Sequence, residues 1–549
     1  MKNKSKCFLL SALVLSTASF AQSATDKTVD RPKLVVGIVI DQMRWDYLYR
    51  FYPLFSENGG FKRLINKGFS CENTLVPYTP TVTAAGHTCV YTGSVPAING
   101  IVDNEWFDRT KNKTVYCAAD DSAKTIGASD DNGEMSPRNL VVTTITDELK
   151  LATNFTSKVI GISIKDRGAI FPAGHVANAA YWFDPKIGTF ISSSYYMNEL
   201  PAWVNNFNNR KLPDSLYKLN WALSKPASVY TQYCGADEQP YERKPFGKEQ
   251  AHFPYTLSNY AGTDYSKLAS TPYGNTVLEL LAEATMLNEN MGKHTTTDFL
   301  AVSFSSPDYI GHTFGSESWE QLDDYIKLDS TLGRFFSFLD KQVGAGNYLV
   351  FLTADHAVAN SPGFSTMHHL PGGVFNENAF SAQLNQMLLD RFKSNKIIKG
   401  SSGEQLLLDY KLIDSLKLDK TEVENAIIEF AEQTPGVARA FNVREVSNTT
   451  LTAIQKQMYS NNYFPMRCGD IQIVLMPGYV SGDGMGTSHG LWNPYDAHIP
   501  LLWYGWNIKS GKTNRETYMT DISATVAALL HIQMPSGCVG KVIPEVFDK

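Results

Sequence analysis

The sequence lacks a long hydrophobic run, an excess of charge of either sign, internal repeats and low-complexity tracts. Its formal net charge is -6 over 549 residues, which gives no reason to expect nucleic acid or an anionic membrane as a partner. The absence of repeats argues against solenoid folds. Hydrophobic residues make up 43% of the chain, the composition of a globular protein large enough for a sizeable core with inserted segments.

Cysteine is scarce, and none of the cysteines forms a C-x-x-C pair, so a zinc ribbon is not expected. Cys7 lies in the N-terminal segment described below, which leaves six cysteines in the rest of the chain. In an oxidising compartment these could pair in many ways. Our hypothesis is a Cys71–Cys89 disulfide, because these residues flank the loop around Thr83 and a bridge would stiffen it.

The N-terminus has the pattern of a secretory signal peptide. Three lysines stand among the first six residues, and the mostly apolar segment 8–20 follows. Small residues at Ser19 and Ala21 fit cleavage after residue 21, and the apolar segment is shorter than the ~20 residues needed to span a bilayer. We therefore predict a signal peptide at 1–21, a periplasmic mature domain at 22–549 and no membrane anchor after cleavage. A non-cleaved anchor is the alternative.

Continuous aliphatic runs, rather than alternating ones, are typical of strands buried on both faces, as in a parallel sheet. Helical patterns lie between these runs, so the predicted fold class is α/β. We expect a three-layer α/β/α sandwich with a largely parallel central sheet, completed by strands near 471–476 and 499–503. The runs that predict the core of the sheet are Leu34–Ile40, Lys158–Ile164, Phe299–Phe304 and Tyr348–Thr353.

Two segments depart from this pattern and are predicted to be insertions. In residues 171–273 the apolar periodicity fades and aromatics, Gly, Pro and Asn dominate. We interpret this segment as irregular structure and short strands over the active face. Residues 377–467 carry helical patterns rich in Lys and Glu and are interpreted as mostly structural.

Polar side chains follow each buried run, at the strand ends where open α/β sheets place their sites. Some of these residues have an ordinary alternative: Asp41 as a helix cap, and Lys165 and Arg167 as surface charges. Asn104, which lies just after the predicted nucleophile helix, has the alternative of a solvated loop amide. His489 lies in a glycine-rich loop near the C-terminus. The set that follows strand ends is Asp41, Lys165 with Arg167, Asp308 with His312, and Asp355 with His356.

The stretch Pro80–Thr88 is predicted to be a nucleophile loop that runs into the start of a helix. Exposed N–H groups at a helix start favour an anion there. A threonine hydroxyl is a weak nucleophile until its pKa is lowered, which a metal ion can do. Thr79, Thr81 and Thr83 alternate, so nearness to the helix start favours Thr83 but does not decide the register.

Three aspartates and three histidines form the mixed oxygen and nitrogen ligand set that zinc accepts. Two ions about 4 Å apart, each with three protein ligands, could bind the attacking and leaving oxygens of a phosphoryl displacement. The candidate ligands are Asp41, Asp308, His312, Asp355, His356 and His489.

These segments resemble the alkaline phosphatase superfamily, most closely its PafA-type periplasmic phosphatases, with nucleotide pyrophosphatase/phosphodiesterases more distant. The resemblance covers most of the mature chain and is weakest in the two insertions. The segments that carry it are VVGIVIDQMRWDYL, PYTPTVTAAGHTCVYTGSVPA, GISIKDRGAI, SSPDYIGH, TADH and GDGMGTSHG.

The resemblance implies an exported phosphomonoesterase of broad range with two Zn²⁺ and a phospho-threonine at Thr83; a phosphodiesterase on the same site is the alternative. One zinc would be bound by Asp41, Asp355, His356 and Thr83, and the other by Asp308, His312 and His489. Asn104, Lys165 and Arg167 would bind the non-bridging phosphate oxygens of small-molecule phosphate esters. No magnesium carboxylates are apparent, and our hypothesis is that Lys165 replaces that ion's charge.

Three other functions fit the sequence less well. Gly486–Gly490 fits the G-x-S-x-G pattern of serine esterases, but no strand–turn–helix is predicted around Ser488. A sulfatase would carry C-x-P-x-R at the nucleophile, which is absent. A non-catalytic binding protein is disfavoured by the intact set of candidate ligands.

Overall fold

The computed structural model describes residues 30–247 and 250–547. The predicted signal peptide, 1–21, lies outside them. The strands in chain order are β1 Leu34–Ile40, β2 Phe69–Leu75, β3 Glu105–Asp108, β4 Lys113–Tyr116, β5 Thr125–Ile126, β6 Val159–Ser163, β7 Ala179–Asp184, β8 Thr189–Ser193, β9 Asp298–Phe304, β10 Tyr348–Thr353, β11 Gly373–Phe375, β12 Ile398–Ser402, β13 Gln405–Leu408, β14 Val437–Asn442, β15 Ile471–Leu475, β16 Tyr479–Ser481, β17 His498–Gly505 and β18 Gly511–Tyr518.

The helices connect these strands and cover the central sheet. In chain order they are α1 Tyr47–Arg50, α2 Gly60–Lys67, α3 Thr83–Thr92, α4 Pro96–Asn99, α5 Ile145–Ala152, α6 Asp166–Ala173, α7 Ala202–Asn209, α8 Leu212–Tyr217, α9 Ala227–Cys234, α10 Tyr273–Asn288, α11 Ser306–Phe314, α12 Trp319–Leu339, α13 Pro362–Met367, α14 Glu377–Phe392, α15 Tyr410–Ser415, α16 Lys420–Glu432, α17 Ala453–Asn462, α18 Pro494–Ala497 and α19 Asp521–Leu530.

Ten strands form the central sheet, in the order β18-β2-β17-β10-β1-β9-β6-β7-β8-β5. The pairs in the run from β10 to β7 are all parallel, whereas β17 and β8 are antiparallel to their neighbours. Every residue of β1, β9 and β10 is buried, which explains why their sequences are mostly apolar without alternation. The predicted α/β class with a largely parallel sheet is confirmed.

Helices cover the sheet in two groups. One group joins α3, α5, α6 and α19, and the other joins α2, α10, α11 and α12. Because α6 and α10 both contact β6 and β9 while belonging to different groups, the groups lie on opposite faces of the sheet. This arrangement gives the predicted three layers, and the main hydrophobic core fills the space between them.

The ends of the sheet differ from the sequence-based expectation. Residues 471–476 were predicted to rejoin the central sheet, but β15, Ile471–Leu475, lies in a separate four-stranded sheet ordered β12-β13-β15-β14. The prediction was wrong because an apolar run indicates that a strand is buried but does not indicate which of the two sheets the strand joins. Nor is 499–503 the last strand, since β18 follows and pairs with β2; β18 is largely exposed, so it lacks an apolar run.

The two predicted insertions have distinct structures. Within 171–273, β7 and β8 belong to the central sheet, and short helices follow them. Within 377–467, α14 and α16 pack on the four-stranded sheet around a second hydrophobic core. The apolar residues of the helical patterns in this segment form this second core.

The six cysteines in the described residues are free thiols, so the predicted Cys71–Cys89 bridge is not found there. Both residues are buried, Cys71 in β2 and Cys89 in α3. After burial, the neighbour that raises the pKa of the Cys89 thiol most is Cys538, not Cys71. Among helices in the described part of the chain, none is long and apolar enough to cross a bilayer.

Candidate metal centre and nucleophile

Four adjacent parallel strands deliver the predicted site residues to one edge of the sheet. The strands β10, β1, β9 and β6 are neighbours in this order, and their carboxyl ends are in register: Val39 pairs with Thr353, and Ile40 with Phe304. Asp41 follows β1, and Asp355 follows β10 after one intervening residue. Because the ends are level, residues more than 300 positions apart in the chain meet at this edge.

Lys165 lies at the centre of the cluster. Its Nζ is 2.7 Å from Asp41 Oδ2 and 2.6 Å from Asp308 Oδ2, and it donates to Thr83 Oγ1 at 3.3 Å. Burial lowers the pKa of Lys165, but the charges of Asp308 and Asp41 outweigh it and raise the pKa above its usual range. The side chain therefore stays a cation although it is almost fully buried.

Two groups of side chains could each hold a metal ion, with ligand atoms within 4.8 Å of one another. One is Asp308, His312 and His489, as predicted for the second zinc. The other is Asp41, Asp308 and His356. Asp355, which was predicted to belong with Asp41, lies beside this group, since its Oδ2 is 3.6 Å from His356 Nε2.

The three histidines share one orientation. In each, Nδ1 faces a backbone carbonyl: Thr487 O at 2.9 Å for His312, Ala357 O at 3.0 Å for His356, and Thr81 O at 2.6 Å for His489. A carbonyl can only accept, so each Nδ1 carries a hydrogen, and in the neutral imidazole Nε2 is then the nitrogen with a lone pair for a metal. This is the arrangement that orients imidazole ligands for metals in proteins.

Unpaired buried atoms fit a bound cation. Asp41 Oδ1, Asp355 Oδ2 and His356 Nε2 have no hydrogen-bond partner although they are buried. Burial, together with the charges of Asp308 and Asp355, raises the pKa of Asp41 well above its usual value. Buried polar atoms are rarely left unpaired, and a divalent cation would both pair them and relieve the repulsion among the carboxylates.

Thr83 is the first residue of α3, and its side chain is buried beside Lys165. The helix can approach this closely because its fourth residue is Gly86, where a Cβ would lie 2.4 Å from the Asp355 carbonyl oxygen. Asn104 reaches the same helix start, because its Oδ1 accepts from the Ala84 N–H at 3.0 Å. Its Nδ2 is therefore the donor that remains for a ligand.

Arg167 is held beside the cluster by Tyr116. Its Nη1 donates to the Tyr116 hydroxyl at 3.1 Å, and that hydroxyl donates to Asp166 Oδ1 at 2.5 Å. The Arg167 Nε is buried without a partner, so this guanidinium keeps a donor free. Sequence reasoning missed Tyr116, which lies in β4, outside the central sheet.

Gln42 and His87 were also missed. Gln42 donates from its backbone to Asp355 Oδ1 at 3.1 Å and from Nε2 to Asp308 Oδ1 at 2.6 Å. Its φ of 66° is left-handed, which is uncommon for a residue other than glycine. His87 Nδ1 lies 2.9 Å from Thr83 O and 3.3 Å from Asp355 Oδ2. A polar residue directly after an aspartate at a buried strand end was the available sequence clue for Gln42.

The esterase alternative does not fit the structure. Residues 486–490 are irregular and connect neither to a strand directly before them nor to a helix directly after them. The serine would need that strand–turn–helix context to be exposed as a nucleophile. His489, from the same segment, joins the group with Asp308 and His312 instead.

Comparison with known proteins agrees with this geometry. Residues 35–496 match the model of the type I phosphodiesterase / nucleotide pyrophosphatase family. The chain is 48% identical to alkaline phosphatase PhoV from Synechococcus elongatus, covering 100% of both chains. It is 45% identical to alkaline phosphatase PafA from Elizabethkingia meningoseptica, covering 99% of both.

The chain belongs to the alkaline phosphatase superfamily, in the group of PafA and PhoV. A crystal structure of PafA superposes with a TM-score of 0.92 and 45% identity, covering 94% of this chain and 99% of that one. The chain is thus an enzyme of the alkaline phosphatase class. The Asp and His groups at its sheet edge are the candidate metal sites that such an enzyme requires.

Proposed function

We propose that this chain is an exported, zinc-dependent phosphomonoesterase of broad substrate range that works through a phospho-threonine at Thr83. The observation that carries the proposal is the joint position of Thr83, Lys165 and the two Asp/His groups at one sheet edge. A hydroxyl nucleophile, a buried cation and paired metal ligands are the components that phosphoryl transfer needs.

Thr83 acts as the nucleophile in this proposal. Its Oγ1 attacks phosphorus, the bond to the leaving oxygen breaks, and the phosphoryl group is carried on Thr83 until water displaces it as inorganic phosphate. Lys165 donates to this oxygen at 3.3 Å and favours its anionic form. The start of α3 adds the positive end of the helix dipole.

Asn104, Lys165 and Arg167 are assigned to the non-bridging phosphate oxygens. Arg167 offers a planar fork and Lys165 a point charge, the two geometries that bind phosphate. Two cations fit the dianion of a monoester better than the single charge of a diester. This difference supports a preference for small-molecule phosphate monoesters.

The two metal ions would be held by Asp41, Asp355 and His356 on one side and by Asp308, His312 and His489 on the other. When bound, zinc ions supply Lewis-acid stabilisation of the attacking and leaving oxygens. The protein's part is to hold the ligands: the three carbonyls at Nδ1 fix the imidazoles, and Gln42 fixes Asp308 and Asp355.

A phosphodiesterase is the second candidate, favoured by the family model that matches residues 35–496. Both reactions would use the same nucleophile and metals. In a diester, a second ester group would face Arg167. In a monoester, a third charged oxygen would take that position. The ratio of monoester to diester turnover therefore separates the two candidates.

The decisive test measures the metal content of the purified protein and its turnover of two substrates with the same leaving group. These substrates are methyl phosphate and dimethyl phosphate. Purified protein should contain about two zinc ions per chain, prefer the monoester, and lose activity on chelation. Thr83→Ala that keeps full activity would defeat the proposal. Diester preference with intact metal content would favour the second candidate.

A further inference from the structure

A cavity of about 580 Å³ opens beside His312. It is built from three separate segments: Arg243 from the first predicted insertion, residues 376–378 at the start of the second, and residues 480–488 of the glycine-rich segment. Both insertions therefore reach the edge of the catalytic site. We call this space the His312 cleft.

The cleft is fixed to the catalytic residues by backbone contacts. The Thr487 N–H donates to Gly311 O at 3.2 Å, and the Arg243 N–H donates to Thr313 O at 2.8 Å. The Thr487 carbonyl accepts from His312 Nδ1. At Gly486 a Cβ would lie 2.0 Å from the His312 carbonyl oxygen, so the segment packs directly on α11. The wall of the cleft is thus joined directly to the helix that carries His312.

The exposure of the site residues points the leaving group toward this cleft. The leaving oxygen lies in line with the attacking oxygen, on the opposite side of phosphorus. Thr83 is buried, whereas the side chain of His312 is 38% exposed, far more than the 0–9% of the other candidate ligands. A substrate whose phosphoryl group reaches Thr83 therefore extends past His312 as it leaves the protein.

The side chains that line the cleft are mostly polar, and their carboxylates outnumber their cations. Arg243 is paired with Asp483 at 2.7 Å, and Glu377 adds a second carboxylate, so one cation faces two anions. Amide and hydroxyl groups come from Asn378 and Ser488. The lining residues in the described part of the chain include no Phe, Tyr or Trp on which a nucleobase could stack. A diphosphate leaving group would be repelled, and an aromatic one would find no ring to pack against.

We propose that the His312 cleft binds the leaving alcohol and selects neutral, hydroxyl-rich alcohols, as in sugar and polyol phosphates. Hydroxyl groups can donate to Asp483 and Glu377 and accept from Arg243 and Asn378, so each lining group finds a partner. The inference rests on the phosphomonoesterase function proposed above and names the class of substrate that this site prefers.

The test compares kcat/KM for three monoesters: glucose 6-phosphate, cyclohexylmethyl phosphate of similar shape, and methyl phosphate, which has almost no leaving-group body. The variants are Asn378→Ala and Arg243→Gln, with Asn395→Ala as control, an exposed asparagine of the same insertion outside the cleft. In the first two, the ratio of glucose 6-phosphate to methyl phosphate should fall about 5- to 20-fold. The ratio for the cyclohexyl ester should change less than twofold.

The inference would be overturned if the kcat/KM ratio of glucose 6-phosphate to methyl phosphate were equal in all variants, or if the cyclohexyl ester were affected more. In either case, hydrolysis of methyl phosphate would still support the phosphomonoesterase function. Faster turnover of a nucleoside triphosphate than of glucose 6-phosphate would also overturn it. If the wild-type enzyme hydrolyses none of the monoesters, the proposed function fails and the inference fails with it. Asn395→Ala should match wild type in every ratio.

Discussion

Lys165 Nζ lies 3.3 Å from Thr83 Oγ1, so a buried ammonium group faces the hydroxyl that we propose as nucleophile. The same ammonium group contacts Asp41 and Asp308, which belong to the candidate metal groups. It therefore links the proposed nucleophile to the candidate ligands. The position supports the hypothesis that a lysine supplies charge that other alkaline phosphatases obtain from a third ion.

Lys165→Met should lower kcat/KM for monoesters about 10²- to 10³-fold, because a positioned donor at a developing oxyanion contributes on this scale. Steady-state kinetics at equal zinc occupancy measures the effect. The matched control is Lys150→Met, another buried lysine, whose Nζ donates to the carbonyls of Phe155 and Ser157 away from the site. That control should lose stability but keep its kcat/KM. Equal kinetic losses in both variants would contradict the assigned role.

Tyr116→Phe should reduce monoester turnover, although we propose that Tyr116 acts through Arg167 and does not contact the substrate. The hydroxyl accepts from Arg167 Nη1, and its loss frees the guanidinium to adopt other rotamers. We expect kcat/KM for a monoester to fall about 10-fold, mainly through KM, and the value for a diester to fall less. In the Arg167→Ala background, Tyr116→Phe should have little further effect. Additive losses in the double variant would show that Tyr116 acts independently of Arg167.

Much of this site was predictable because its residues follow buried strands. Asp41, Lys165, Asp308 and Asp355 each lie just beyond an apolar run, and parallel strands bring such ends together. Tyr116 was not predictable, because it reaches Arg167 from a two-stranded sheet whose position the local sequence does not encode. The same limit explains the error at β15, since burial in a second core produces the same apolar pattern as burial in the first.

Gln42 should control metal affinity, because it bridges Asp308 and Asp355. Gln42→Ala is expected to weaken zinc binding about 10- to 100-fold, the usual cost of losing a partner of metal ligands. Gln42→Gly removes the amide but accepts the φ of 66° without strain. A shared loss of affinity in both variants, measured by competition with a chelator, reports the side-chain contact with Asp308, since both variants keep the backbone N–H that donates to Asp355. A loss in Gln42→Ala alone would assign the effect to backbone strain.

The free energy of unfolding should fall as the pH rises, because buried carboxyl groups outside the candidate metal site have raised pKa values. Burial raises the pKa of Glu242, and the charge of Glu320 raises it further. Burial likewise raises the pKa of Glu320. A raised folded-state pKa means that the unfolded state loses its proton first, so stability is fully present below the ordinary glutamate pKa and is lost as the pH rises toward the raised value.

Glu242→Gln should therefore raise the free energy of unfolding at about pH 9 by roughly 1–3 kcal/mol and change it little at about pH 4. Urea unfolding of the zinc-loaded protein at both pH values measures this. The control is Glu429→Gln, which changes an exposed glutamate of α16. A gain of equal size at both pH values would contradict the titration argument.

The central claim is that Thr83 carries the phosphoryl group during turnover. The most direct measurement is acid quenching of the enzyme with a saturating monoester, followed by peptide mass spectrometry. We predict one added phosphoryl group on the peptide that contains Thr83, its absence in Thr83→Ala, and its return on serine in Thr83→Ser. Active enzyme that shows no phosphopeptide within the time of one turnover, or a phosphoryl group on Thr79, Thr81 or another residue, would contradict the account.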